Sequence, residues 1–431
     1  MPLPDGFARR LLPILDDIVA VHGTPFHIYD ARGIIETHRG MVRAFHGRPF
    51  RQYFAVKALP NPAVLSLLLD EGSGLDCASP VELELAEYVG AVGDDVVFTS
   101  NNTSLPEYDR ALAAGALITF DDSSFFDKVG TLPSTVAFRV SPHGVSAGSP
   151  LMGDAAHTKF GVPADRIADA YREARRRGVT RFGLHGMMCA NELDVDRAAA
   201  AAADVIELGA RLAATTGIEL DYINVGGGLG IPYRPEDKPF DFQAYADAVG
   251  AALRRCFPGR EGPRILMECG RYVTGPHGVL VTRVINRSHK TREIVGVDAS
   301  MSALMRPGFY GAYHHLTLPF ATGRAHTRVD VVGALCENMD KFAIDRSLPD
   351  PREGDLAVIH DTGAHGHAMG FTYNGRLRPA ELLLTDDGEV VEIRRAEGFA
   401  DYLATARWPP RRVPVTASAR PEHSPATREP R

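Results

Sequence analysis

Between residues 50 and 270 the chain repeats one pattern eight times: an apolar run, a polar exit and an amphipathic stretch. The runs are QYFAVK ending at Lys57, GLDCAS around Asp76, DVVFTS ending at Ser100, ALITFD ending at Asp121, TVAFRV around Arg139, RFGLH ending at His185, DYINV ending at Val225 and RILME ending at Glu268. Their lengths and apolar character describe buried strands, and the stretches between them carry helical periodicity, as in Pro62–Asp70, Pro80–Tyr88, Arg166–Arg177, Val195–Thr215 and Phe242–Phe257. Eight such units are the arithmetic of a (β/α)8 barrel. A doubly wound sheet accommodates the alternation but does not need eight repeats.

A barrel of this kind assembles its active site from the C-terminal ends of its strands. Lys57, Asp76, Asp121, Arg139, His185, Gly226–Gly228 and Glu268 all fall at or near a strand's exit. Lys57 is the most informative of them. A lysine closing a core strand is either a snorkelling surface group or an amine kept for chemistry.

Past residue 276 the pattern changes to alternating strands with Gly and Pro turns, as in GVLVTRVIN, REIVGVD, TRVDVVG, GDLAVIHD and VVEIRR. The expected organisation is therefore a barrel over residues 31–276 and a mainly β domain over 277–407, which the strand FHIYD of segment 1–30 joins. Residues 408–431, rich in Pro, Ser, Ala and charge, read as a disordered tail. A net charge of −7 argues against a nucleic-acid or anionic-membrane partner, and no apolar run approaches the roughly 20 residues that span a bilayer. Five scattered cysteines without a C-x-x-C pair fit a reducing cytoplasm.

Several stretches can carry chemistry. INVGGGLGIPY follows a strand, and Gly226, Gly227 and Gly228 form either a tight turn or a backbone cradle for an anion such as phosphate. Ile231 breaks the dinucleotide fingerprint. In MECGRYVTGP, Glu268 and Arg271 form a structural ion pair, or a carboxylate for a heterocyclic nitrogen beside a ligand for phosphate or carboxylate. Cys336 and Glu337 in GALCENMDKF precede Asn338, Asp340 and Lys341, a polar setting that suits a site loop better than a core. Tyr373 lies in a Gly-rich loop. His314, His315, His365 and His367 lack a third metal ligand at a recognisable spacing, so no metal is expected.

Taken in order, these stretches resemble the fold-type III decarboxylases that use pyridoxal 5′-phosphate, and most closely the diaminopimelate decarboxylases. The similarity runs from about Phe26 to Tyr402. It implies a cofactor-binding barrel plus a β domain, as in alanine-racemase-like enzymes. YFAVKALPNP is similar to the family's Y-A-V-K-A-N, which makes Lys57 the Schiff-base lysine; LDCASPVE places Asp76 and Glu82 at the edge of the site. Gly226–Gly228 match the phosphate loop, and ECGR resembles E-P-G-R, with Glu268 on the pyridine nitrogen and Arg271 on substrate or phosphate. DASMSALMRPGFYGAYHHL looks like the segment that binds the far end of diaminopimelate, here Arg306 and Tyr310. CENMD resembles C-E-S-G-D, so Cys336, as proton donor, and Glu337 reach the other subunit's site; YNGRLRPAE brings Tyr373 to the cofactor. The resemblance thus implies a homodimer with shared sites acting on a small amino acid.

One stretch departs from the pattern. The family's H-x-H-I-G-S-Q corresponds to LHGMMCANE, which keeps His185 but sets Met187 in place of the histidine that stacks on the cofactor and Ala190 in place of a serine. The leading expectation is decarboxylation of meso-diaminopimelate to L-lysine. The alternatives are a paralogue acting on D-lysine, D-ornithine or a biosynthetic intermediate, an amino-acid racemase, and a non-catalytic cofactor-binding relative.

Overall fold

The computed structural model describes residues 3–141, 158–259 and 262–413; most of the tail expected from residue 408 lies outside them. All eight predicted barrel strands form. They are β2 (Phe50–Ala55), β3 (Gly74–Cys77), β4 (Val96–Thr99), β5 (Leu117–Phe120), β6 (Thr135–Val140), β7 (Arg181–Gly186), β8 (Leu220–Asn224) and β9 (Arg264–Met267), after β1 (Phe26–Asp30). Neighbours pair in parallel, and β9 closes on β2 with Phe50 opposite Ile265 and Gln52 opposite Met267. Tyr53, Val97, Leu117, Ala137, Tyr222 and Leu266 plug the interior. Gly183 makes room for this plug, since a Cβ there would sit 2.2 Å from the Tyr222 ring.

Local sequence sets the helix starts. Asn61 accepts a hydrogen bond from the Ala63 N–H with Pro62 in the first turn, and Asp194 and Asp241 cap their helices through Arg197 and Ala244. The helices Pro62–Asp70 and Pro80–Tyr88 match expectation, whereas Ala31–Ala44 and Leu105–Ala113 escaped it. Among the described residues no helix is long and apolar enough to cross a membrane.

The second domain is a nine-stranded mixed sheet. Its strands after β1 are β10 (Gly278–His289), β11 (Glu293–Val297), β12 (Leu316–Thr317), β13 (His326–Val332), β14 (Lys341–Pro349), β15 (Leu356–Ile359), β16 (Ala380–Leu384) and β17 (Val390–Arg394). β1 lies between β10, antiparallel, and β16, parallel. Sequence alternation revealed β10, β11, β13, β15 and β17 but not β12, β14 or β16; in β14 Asp345 and Arg346 interrupt the apolar period and Asp345 takes a left-handed φ of 51°.

Candidate active site

The lysine that the strand pattern singled out lies just past its strand. β2 stops at Ala55, and Lys57 occupies a single 3₁₀ turn, Val56–Ala58, at the barrel mouth. The β domain pins this turn. The His365 N–H donates to the Ala58 carbonyl at 2.8 Å, the Arg394 guanidinium to the Pro60 carbonyl at 3.3 Å, and the Asn61 amide to Glu381 Oε2 at 3.0 Å. Glu381 is buried and also meets Tyr29, Arg394 and His367. The Lys57 side chain is 58% exposed at this mouth, and Nζ lies 3.6 Å from Asp76 Oδ2. Asp76, Glu268 and Glu82 outweigh burial and hold the ammonium above its ordinary pKa, with Asp76 the largest influence. Glu82 is anchored as a helix-capping carboxylate, accepting from the Ala78 N–H at 2.6 Å.

Glu268 directly follows β9 and is buried. Its Oε2 meets His185 Nε2 at 3.1 Å, and its Oε1 accepts from the Asn224 amide at 2.7 Å and the Thr99 hydroxyl at 3.2 Å. Burial raises its pKa, but His185, Lys57 and Asn224 together pull it well below the usual carboxylate range. Asn224 also accepts from the Gly226 N–H at 2.9 Å, so one amide ties the carboxylate to the glycine loop. Only glycine fits this loop. Gly226 and Gly228 have φ of +72° and +83°, and a Cβ on Gly227 or Gly228 would fall 2.4 Å from the Glu268 carbonyl oxygen or 2.0 Å from that of Cys189. Met187 packs here, its thioether accepting from the Gly227 N–H at 3.2 Å. Asp121 and Arg139, 3.5 Å apart and buried, complete the rim, with the Arg139 guanidinium 4.2 Å from the Phe160 ring.

A second cluster lies where the barrel meets the β domain. Arg271 and Arg306 both donate to the Tyr233 hydroxyl, Arg306 at 2.8 Å, and Arg306 also donates to His314 Nε2 at 2.8 Å. His314 Nδ1 donates to the His360 carbonyl at 2.8 Å, which fixes the tautomer with Nε2 as acceptor. Neither guanidinium has a carboxylate within 4 Å among the described residues. Burial lowers the Arg306 pKa, and burial with Arg306 beside it lowers that of His314 to about 3. His365 is also lowered to about 3, by burial and then by Arg271, Arg306 and Lys57, which places it between the two clusters.

The remaining sequence-predicted residues lie on the surface. Tyr310 ends the short helix Arg306–Tyr310 and is 60% exposed, and Tyr373 is 53% exposed. Cys336 is exposed on the turn between β13 and β14, where its N–H donates to the Asn374 side chain at 2.7 Å; Glu337 is exposed beside it. No hydrogen bond or ion pair among the described residues joins Cys336, Glu337 or Tyr373 to Lys57.

Comparison with known proteins decides the family. The profile of the pyridoxal-dependent decarboxylase, pyridoxal binding domain, matches residues 31–275. This chain belongs to the pyridoxal-dependent decarboxylases. The decarboxylase is 66% identical to Protein TabA of Pseudomonas amygdali pv. tabaci, over 95% of this chain and 97% of that one. It is 34% identical to a diaminopimelate decarboxylase of Methanothermobacter thermautotrophicus, over 90% and 93%. The diaminopimelate decarboxylase of Helicobacter pylori complexed with L-lysine superposes with a TM-score of 0.83 at 28% identity, covering 90% of this chain and 98% of that one. The cofactor and the barrel-plus-β-domain architecture implied by the sequence resemblance stand on these findings.

The decarboxylase's own residues fit pyridoxal 5′-phosphate. The glycine loop leaves no room for side chains at its bend, and the buried Asp76 Oδ1 and His185 Nδ1 have no hydrogen-bond partner among the described residues. Sequence reasoning missed Thr99, Asn224 and Tyr233, and weighed His314 and His365 only as metal ligands. Asn224 had a signal, a polar side chain inside an apolar strand; the others meet their partners only through the fold.

Proposed function

We propose that this decarboxylase acts on a diamino acid bearing a second carboxylate, with meso-diaminopimelate converted to L-lysine as the leading reaction. The observation that carries this reading is the pair Arg271 and Arg306, cations near Lys57 without a carboxylate partner among the described residues. A buried, unpaired cation is costly, and an anionic end of the substrate offsets that cost. D-lysine and D-ornithine present an ammonium there instead, which the same pair repels. The 34% identical relative named a diaminopimelate decarboxylase supports this substrate, while the name of the 66% identical relative states none.

In this reading the cofactor, when bound, supplies a ring that accepts the electrons left as the substrate carboxylate departs as carbon dioxide. Lys57 is the amine to which it attaches, and Asp76 holds that amine in place. Glu268, kept ionised by His185 and Asn224, holds a proton on the ring nitrogen. The glycine loop Gly226–Gly228 would receive the phosphate, and Arg306 with Tyr310, and Arg271 beside it, would take the far carboxylate. Cys336 returns a proton to the product, with Glu337 and Tyr373 beside it.

Because those last three residues lie on the surface, the site requires a second copy of the chain. Phe309, Tyr310, Met339 and Tyr373 form an exposed apolar surface around Cys336 that such a copy covers. Five free cysteines support residence in a reducing cytoplasm. Retention of Lys57, Glu268 and Cys336 speaks against a non-catalytic relative.

The test is carbon dioxide release across meso-diaminopimelate, D- and L-lysine, and D- and L-ornithine. Release from the first is expected, and Lys57→Ala removes both turnover and the borohydride-sensitive absorbance near ~420 nm. Turnover confined to the mono-carboxylate diamino acids sinks the substrate.

A further inference from the structure

Arg306 is held differently from Arg139, the other buried arginine described above, and from Lys57 and Arg394. Arg394 leans on Glu381, Arg139 on Asp121 and Lys57 on Asp76. Arg306 leans on a phenol and an imidazole. The imidazole can accept only from its neutral form, and the His360 carbonyl enforces that arrangement by taking the Nδ1 proton. Asp361 is close enough to feel the charge of Arg306, yet burial pushes its carboxyl up to about 8, so it is largely uncharged at neutral pH. Tyr233 also carries the guanidinium over its ring, 4.8 Å from the centroid, and stands edge-on to His314 at 5.1 Å.

We infer that His314 and Tyr233 are positioning residues: two neutral acceptors that fix Arg306 while leaving its charge uncompensated for the far carboxylate of the substrate. The inference rests on the two-carboxylate reading above and extends it to residues that touch no substrate. A carboxylate in the place of His314 would hold the arginine equally well and cancel its charge. Geometry alone therefore does not account for the choice of residue; the uncancelled charge does.

The experiment compares His314→Gln, His314→Glu and His314→Asp in the holoenzyme, with Tyr233→Phe as a fourth variant. The probe is pimelate, a seven-carbon dicarboxylate without amines, read as a competitive inhibitor. Gln, a neutral acceptor, is expected to keep pimelate affinity within about threefold, whereas Glu and Asp weaken it by about tenfold or more and raise KM with little change in kcat. Tyr233→Phe is expected to weaken it less than either acid.

A second arm needs no ligand. Cancelling a buried unpaired charge raises the thermal midpoint, so the better folded of the two acidic variants is expected to melt at least ~2 °C above His314→Gln. Equal effects of Gln and the acids on pimelate, or an acidic variant no more stable than Gln, overturns the proposal. Loss of cofactor absorbance with unchanged pimelate affinity also overturns it, because the arginine then serves the phosphate. A wild-type enzyme that ignores pimelate removes the substrate reading and the ligand named here, and the thermal arm alone then decides whether His314 leaves Arg306 uncompensated.

Discussion

The two charged clusters at the mouth of the barrel are built on opposite plans. Around Lys57 the cations face carboxylates: Lys57 faces Asp76 and Arg139 faces Asp121, while His185 meets the Glu268 carboxylate. Around Arg306 the cations face a phenol and an imidazole. In the first cluster each cation has its partner before any ligand arrives. The second has no carboxylate partner among the described residues, and under the proposed function an anion completes it. Under that proposal the difference separates residues that do chemistry from residues that choose what is brought to them.

The largest effect tests the first cluster. Glu268→Gln keeps an acceptor for Asn224 and Thr99 but cannot hold a proton on a ring nitrogen. We expect kcat for carbon dioxide release to fall by about 10²–10⁴-fold while cofactor remains bound. A loss under about tenfold would place the holding of the ring-nitrogen proton elsewhere. Glu268 is ionised throughout the neutral range, so an acid limb of the rate profile near neutrality belongs to another group.

The next contrast pits one buried arginine against another. Arg139→Met leaves Asp121 buried without its partner and should destabilise the fold by about 3 kcal/mol. Arg306→Met removes a cation that nothing compensates. It should leave the thermal midpoint unchanged or higher, while raising KM for a dicarboxylate substrate by about tenfold or more. Equal destabilisation by the two substitutions, read by thermal unfolding, erases the distinction between the clusters.

The barrel half of this picture was legible in the chain because it is periodic. Strand ends fell within two residues of their predicted places, and Pro62 and Pro80 announced their helices. Lys57 was misplaced only in detail, in a turn rather than a strand, because the contacts that shape the turn come from His365, Glu381 and Arg394, more than 300 residues away. The Arg306 half was less legible for the same reason. The resemblance paired Arg306 with Tyr310, which is exposed in this structure, and the tyrosine that hydrogen-bonds Arg306 is Tyr233, 73 residues upstream, a contact only the fold creates.

The smallest effect decides whether the second cluster is uncompensated. Asp361 is buried, has φ of 60° and leaves Oδ2 without a partner. Burial raises its pKa from 3.8 to about 8. Between those values the folded chain binds a proton that the unfolded chain has released, so stability falls as the pH rises, by at most ~1.4 kcal/mol per unit, and levels off above the folded value. Asparagine tolerates the left-handed backbone and carries no charge. Asp361→Asn should therefore gain in thermal midpoint over the wild type as the pH moves from 6 to 7. If Asp361 instead served as the counterion of Arg306, its pKa would be depressed and the substitution would destabilise at both values. The sign of the difference between the two melting curves distinguishes a cation left open for a ligand from one already neutralised by its own chain.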